Sequence, residues 1–176
     1  LWQTVADVPE QSVKIETQAV IPCARNSFNH LIVEVGTQAG RAPFIFDTGA
    51  NLSTISESYA QKLGMSIREA SVEVNTSTGM KLRTRMAVAD KFDVGGLEFE
   101  NVVFLVLPDD QLAFEEVGYS IKGIVGFPII HQMRELRIGR EHITIPSKPT
   151  PSHLGNLCLE GLMPVIKARA RDEELI

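Results

Sequence analysis

The sequence is poor in the residues that mark metal sites, disulfide frameworks and membrane spans. It has two cysteines, Cys23 and Cys158, and four scattered histidines, none of them in a metal-ligand spacing. The cysteines could form a disulfide or remain two free thiols, so they do not settle the redox compartment. No run approaches the ~20 apolar residues that a membrane span requires. We therefore expect no metal site and no membrane span in this chain.

Charge of one sign is not concentrated in any segment either. The formal net charge of −5 is spread over 176 residues, without a long basic block. Nucleic acids and anionic membranes are recognised by clustered Lys and Arg, so we expect neither as a main partner. The hydrophobic content of 44% is ordinary for a globular chain of this length, which suffices for one domain with a core.

The sequence is rich in patterns that are typical of β-strands. Branched and aromatic residues at 31–35 and 43–46 predict a hairpin, and the apolar run 102–107 predicts a fully buried strand. A further strand is expected within residues 13–21. Many short strands separated by glycine-rich turns indicate an all-β fold, a closed or partly open β-barrel.

Few segments favour helix. A short helix is predicted over residues 56–63, because Ser56 can cap its start and Gly64 can end it. A second is predicted over residues 128–133, with a proline in its first turn. The acidic stretch 108–120 predicts a surface loop.

Composition divides the chain into four parts. Residues 1–24 read as an N-terminal extension, residues 25–146 as one folded lobe and residues 147–158 as a linker, followed by a tail over residues 159–176. Three prolines within residues 146–153 favour an extended, semi-rigid connection.

One short motif carries chemistry. Asp47 ends the apolar strand 43–46, and an aspartate placed between a strand and a glycine is usually only a turn residue. The surrounding sequence favours more than a turn, because a helix follows Asp47 and an apolar pair plus glycine precedes a second helix. The residues concerned are Thr48, Gly49, Ala50 and Ser53 after the aspartate, and Ile124, Val125 and Gly126 before the second helix.

This combination resembles the retropepsin-like aspartic peptidases, which include retroviral proteases and bacterial relatives, and more distantly one lobe of pepsin. The resemblance covers about residues 28–146. It implies that Asp47 is catalytic, that Thr48 locks two active-site loops together and that Gly49 turns an N–H toward the carboxylate. It further assigns loop support to Ala50 and Ser53, and a second loop behind the first to Ile124, Val125 and Gly126.

The resemblance also implies a flap, the hairpin that closes over bound peptide. The matching residues are Asn75, Thr76, Ser77, Thr78, Gly79 and Met80, although the same composition suits an ordinary exposed turn. The implied chemistry is peptide hydrolysis by a water held between two carboxylates that share one proton, as in aspartic proteases generally. It requires no metal, cofactor or covalent intermediate.

One such lobe supplies a single aspartate, so the resemblance implies a homodimer or a second lobe as the source of the other. Residues 159–176 can be laid over residues 28–45 at a constant offset of 131, with Leu31, Ala39 and Ile45 meeting identical residues. This predicts that the tail starts a second lobe, with the counterpart of Asp47 at position 178. The alternative is a strand-forming extension of a single-lobe dimer.

The leading functional hypothesis is an aspartic endopeptidase whose polypeptide substrate lies extended beneath the flap. A catalytically inactive module of the same fold for peptide binding or dimerisation is an alternative, as is a β-domain unrelated to proteolysis. The compartment stays open. Because the first residue is Leu1 and not methionine, one hypothesis is a bacterial gene product whose signal or anchor was removed, placing the protein in the periplasm or outside the cell.

Overall fold

The computed structural model describes residues 2–75, 81–114, 119–151, 155–160, 163–170 and 173–175. Strands dominate these residues. In chain order they are β1 (Ser12–Val13), β2 (Ala19–Arg25), β3 (Leu31–Thr37), β4 (Gly40–Phe46), β5 (Thr54–Ser56), β6 (Ser66–Asn75), β7 (Lys81–Val94), β8 (Leu97–Leu107), β9 (Ala113–Phe114), β10 (Tyr119–Ser120), β11 (Gly123–Val125), β12 (Arg137–Ile138), β13 (His142–Ile145), β14 (Leu157–Glu160), β15 (Met163–Ile166), β16 (Ala168–Ala170) and β17 (Glu173–Leu175).

Two short α-helices, α1 (Glu57–Lys62) and α2 (Phe127–Gln132), lie among the described residues, with 3₁₀ turns at Trp2–Val5 and Asp109–Leu112. Both helices fall where the sequence predicts them. The Ser56 hydroxyl accepts a hydrogen bond from the Tyr59 N–H and so caps α1. In the part of the chain that is described, no helix has the length and apolarity needed to cross a membrane.

Six strands close into a barrel. Antiparallel pairs join β3 to β4, β11 to β5, β7 to β8 and β7 to β3, while β4 runs parallel to β11 and β5 parallel to β8. The ring closes where Val35 meets Val94 and Gly36 meets Asp93. Each of the six strands in the ring therefore has a partner on both sides. The predicted all-β barrel with two short helices is thereby confirmed.

The placement of β11 sets up the functional site. This strand lies between β4 and β5, parallel to one and antiparallel to the other. The chains approach closely, since a Cβ at Gly123 would lie 2.3 Å from the Phe44 ring and 2.4 Å from the Thr54 carbonyl oxygen. Glycine is therefore required at position 123. The loops that follow β4 and β11 consequently leave the barrel side by side.

Aromatic side chains fill the barrel interior. Phe44, Phe92, Phe99 and Phe104 are fully buried. The rings of Phe92 and Phe104 meet edge to face at 4.8 Å between centroids, and those of Phe44 and Phe92 are 6.1 Å apart. Such tilted contacts favour one packed arrangement, so the strand ends that carry the site are held on a rigid core.

The N-terminal strand lies further along the chain than predicted. Within residues 13–21 the structure has a bend at Glu16 and Thr17, which separates the two-residue β1 from β2. Strand β2 pairs with both β3 and β13. The sheet therefore begins before residue 25, where the sequence placed the start of the lobe.

The prediction of a plain surface loop over residues 108–120 was wrong. The segment contains a 3₁₀ turn followed by the paired strands β9 and β10. Leu112 is only 4% exposed and neighbouring Ile121 only 6%, and both pack with Ile45 of the barrel. These two apolar side chains anchor an otherwise acidic segment to the barrel wall.

The C-terminal residues form two hairpins. Strand β14 pairs with β15, and β16 pairs with β17. Leu157, Leu159 and Ile166 of the first hairpin are each at least half exposed. Cross-strand pairing of Leu157 with Ile166 places these apolar side chains on one face of the hairpin.

Candidate active site

Asp47 stands at the end of β4 and is anchored by backbone hydrogen bonds. Its N–H donates to the Val125 carbonyl at 3.0 Å, which ties it to β11. The Gly49 N–H donates to Asp47 Oδ1 at 2.8 Å, and the Ala50 N–H donates to the Asp47 carbonyl at 3.3 Å. The carboxylate is half-buried and is held by a hydrogen bond from its own loop. The loop therefore fixes the position of the carboxylate at the end of β4.

The second loop lies directly behind the first. The Gly126 N–H donates to the buried Ser53 hydroxyl at 3.0 Å, and the Phe127 N–H donates to the Ala50 carbonyl at 2.7 Å. Ser53 is only 1% exposed. These two bonds join the segment after Asp47 to the start of α2. The structure thus brings together the two groups of residues that the sequence singled out in separate parts of the chain.

Thr48 and Gly49 are exposed on the surface next to Asp47. Ile124 is half-buried and pairs with Ile45, while Val125 is fully buried and supports the backbone of Asp47. Ile124 and Val125 are neighbours on β11, so their side chains lie on opposite faces of the strand. Ile124 lines the cavity beside Asp47, and Val125 lies in the core.

The predicted flap is described only at its base. Asn75 ends β6 and pairs with Lys81 at the start of β7. Residues 76–80 lie outside the described residues, so the prediction for the tip stays a prediction.

A cavity of about 630 Å³ opens beside Asp47. Its apolar floor is the cluster of Ile45, Leu112 and Ile121. Arg25 and His30 line it as well, and Asp47 is the one carboxylate among the described residues that line it. Pattern analysis missed Arg25, Leu112 and Ile121. For the last two a signal existed, since they are isolated large apolar residues within and just after an acidic stretch.

The segment at 109–112 is fixed against α1 by Asp109. The Ser58 N–H donates to Asp109 Oδ2 at 3.0 Å, and the Ser58 hydroxyl donates to Oδ1. Burial acts to raise the pKa of Asp109, but the hydrogen bonds from Ser58 and Ser56 outweigh it and lower the pKa below its ordinary value. The wall of the cavity that contains Leu112 is thereby attached to the helix.

Metal-binding geometry is not found within the described ranges, where no three His, Cys, Asp or Glu side chains group together.

A comparison with protein families decides the family. The sequence profile described as Aspartyl protease matches residues 32–129, more than half of the chain. The chain belongs to the aspartyl protease family. The predicted family is confirmed, and the match includes Asp47, Ser53 and Gly126.

Comparison of this aspartyl protease with solved structures found a similar fold in a retropepsin-like aspartic protease from Rickettsia conorii. The two sequences are 21% identical, the TM-score is 0.49, and the match covers 73% of this chain and 90% of the other. A comparison with curated protein sequences found no match.

Proposed function

We propose that this aspartyl protease is an endopeptidase in which Asp47 is one of two aspartates that activate a water molecule. The observation that carries the proposal is the position of the Asp47 carboxylate, at the mouth of a cavity and fixed by the Gly49 N–H. A positioned carboxylate beside an apolar cavity suits general acid–base chemistry on a bound peptide.

In the proposed reaction one aspartate is ionised and the other is protonated. The ionised carboxylate removes a proton from the water, whose oxygen attacks the scissile carbonyl carbon, while the protonated carboxyl group donates its proton to the carbonyl oxygen. When the tetrahedral intermediate collapses, the C–N bond breaks and the amine nitrogen accepts a proton from the pair. Two adjacent carboxylates share their protons, so the roles belong to the pair and not to Asp47 alone.

The second aspartate is proposed to come from a second Asp-Thr-Gly loop that faces the first. Asp47 is followed by the exposed Thr48 and Gly49, which leaves this surface free to meet such a loop. The loop would belong to another copy of the chain or to a second lobe. Thr48 is proposed to bond across the contact between the two loops.

The spacing of the C-terminal hairpins supports the second-lobe form of this proposal. The innermost pairs described are Glu160 with Met163 and Ala170 with Glu173, so the two hairpins are centred ten residues apart. The centres of the β2–β3 and β3–β4 hairpins are separated by about the same length of chain. We propose that residues 159–176 begin a lobe of the same kind, after a linker over residues 147–158.

Exchange of Asp47 for asparagine tests the proposal. Asp47→Asn should reduce cleavage of casein or of a peptide library by about 10²-fold or more, measured between about pH 3 and pH 7 with and without pepstatin. Asn is close in size and cannot accept the proton. Asp90→Asn, which changes an exposed aspartate of β7, is the matched control and should retain activity.

Undiminished cleavage by Asp47→Asn would exclude the catalytic assignment. Folded wild-type protein that binds peptides without cleaving them, in the form that supplies both loops, would favour the inactive binding module.

A further inference from the structure

We propose that Arg25 makes the cavity beside Asp47 select peptides with an acidic residue two positions away from the residue that enters the cavity. The carboxylate of that acidic residue pairs with Arg25. This inference rests on the proposed function, because it assumes that an extended peptide lies across Asp47.

The floor of the cavity determines which kind of side chain of the peptide enters it. Ile45 lies two residues before Asp47, and both residues line the cavity. Ile45 pairs with Ile124 on β11, and Leu112 and Ile121 pack against it from the neighbouring segment. The surface directly beside the carboxylate is therefore aliphatic, and the cavity has the size of a typical ligand site. A large apolar side chain gains most from leaving water there.

The preference for an acidic residue follows from Arg25. This residue ends β2, is exposed and lines the same cavity. Its Nη1 donates to the Asn29 carbonyl at 2.7 Å, which orients the guanidinium group. Among the ion pairs of the described residues, none involves Arg25. An oriented guanidinium with remaining donors is suited to bind a carboxylate through two parallel hydrogen bonds.

The spacing between the two positions follows from the geometry of an extended peptide. Residues two apart point to the same side and are separated by roughly 7 Å. A peptide that places one side chain over the aliphatic floor therefore presents the next side chain on that face at the rim of the cavity. We expect Arg25, which lines the same cavity, to pair with a carboxylate there and to repel a lysine at this position of the peptide.

Peptides of one sequence that differ only at these two positions test the inference. The first position carries Leu, Phe or Ala, and Glu, Gln or Lys stands two residues before or after it. At a pH above about 5, where Glu is ionised, wild-type kcat/KM should favour Glu over Lys by on the order of fivefold. The Leu and Phe peptides should be cleaved better than the Ala peptide.

Charge exchange at Arg25 assigns the preference to that residue. Arg25→Glu should reverse the order of the Glu and Lys peptides, and Arg25→Gln should abolish the difference. Arg134→Glu, the same change at an exposed arginine outside the cavity, should leave the wild-type ratio unaltered. Equal kcat/KM for the Glu and Lys peptides, or an unaltered ratio in Arg25→Glu, would overturn the inference.

Binding separates this inference from the proposed function. The same peptides, labelled with a fluorophore, are titrated into Asp47→Asn protein and followed by anisotropy. If no peptide is cleaved but Arg25 still decides between Glu and Lys in binding, the proteolytic function fails and the recognition stands. If peptides are cleaved and neither assay depends on Arg25, the function stands and the recognition fails.

Discussion

Gly126 is the residue at which the two loops of the site approach most tightly. A Cβ at this position would lie 2.5 Å from the Leu52 carbonyl oxygen and 2.9 Å from the Ala50 carbonyl oxygen. Both are backbone atoms, which cannot rotate aside. We therefore expect Gly126→Ala to lower the free energy of unfolding by about 1–3 kcal/mol in urea titrations. It should also lower kcat, because the clash displaces the loop that carries Asp47.

Gly40 offers a matched control for this substitution. A Cβ there would lie 3.6 Å from the nearest atom, in the flexible side chain of Lys62. Gly40→Ala should change stability by no more than about 0.5 kcal/mol. Equal stabilities for the two variants would show that a Cβ at position 126 does not clash with the neighbouring backbone.

At the residue scale, the sequence predicts contacts within a motif better than contacts between motifs. The hydrogen bond from Gly49 to Asp47 spans two residues, so the order of residues is enough to expect it. The bond from Gly126 to Ser53 spans 73 residues. It forms only because β11 enters the sheet between β4 and β5, and no local pattern encodes that position.

At the element scale, an ion pair attaches α1 to the barrel. Glu57, in the first turn of α1, accepts two hydrogen bonds from Arg85 of β7, one of them at 2.7 Å between Nη2 and Oε2. The hydrogen bonds from Arg85 hold the pKa of Glu57 below its ordinary value. A lowered folded-state pKa means that the pair stabilises the fold above the ordinary pKa of Glu. The contribution is lost as the pH falls through the lowered pKa.

Glu57→Gln should therefore destabilise the protein in a pH-dependent way. At neutral pH the variant should be less stable than wild type by about 0.5–1 kcal/mol, the range for a partly exposed ion pair. The difference should shrink as the pH falls below the ordinary pKa of Glu and vanish below the lowered pKa of Glu57, where the wild-type carboxyl group is also neutral. Urea unfolding at several pH values measures it. The control is Glu141→Gln, at an exposed glutamate in no described ion pair, which should have the stability of wild type at every pH. A stability difference between Glu57→Gln and wild type that does not change with pH would contradict the role of the ion pair.

Elements with strong local patterns were predictable. The β3–β4 hairpin and both short helices lie where sequence patterns place them. The exceptions were β2 and the segment 108–120. Strand β2 exists because β3 and β13 pair with it from both sides. The acidic segment is ordered by packing of Leu112 and Ile121 on Ile45, and this depends on tertiary contacts that its polar composition hides.

At the scale of the whole molecule, closure of the barrel depends on strand order. The parallel pairs β4–β11 and β5–β8 join strands that are distant in sequence, and only two residue pairs close the ring between β3 and β7. Hydrophobic periodicity identifies strands but not their neighbours. The barrel could be expected from strand number and turn composition, and its strand order only from the family resemblance.

How many chains build one site is also a property of the whole molecule, and mixing wild type with Asp47→Asn measures it. The 176-residue chain contains one Asp-Thr-Gly, so we expect its activity to require two copies. When equal amounts are unfolded together and refolded, random pairing leaves about one quarter of the dimers with both aspartates. Activity at a fixed total concentration should then fall to about one quarter. The control mixture with Asp90→Asn should keep full activity. A fall to about one half would show that each site is complete within one copy of the chain, and would contradict the expected pairing of two copies.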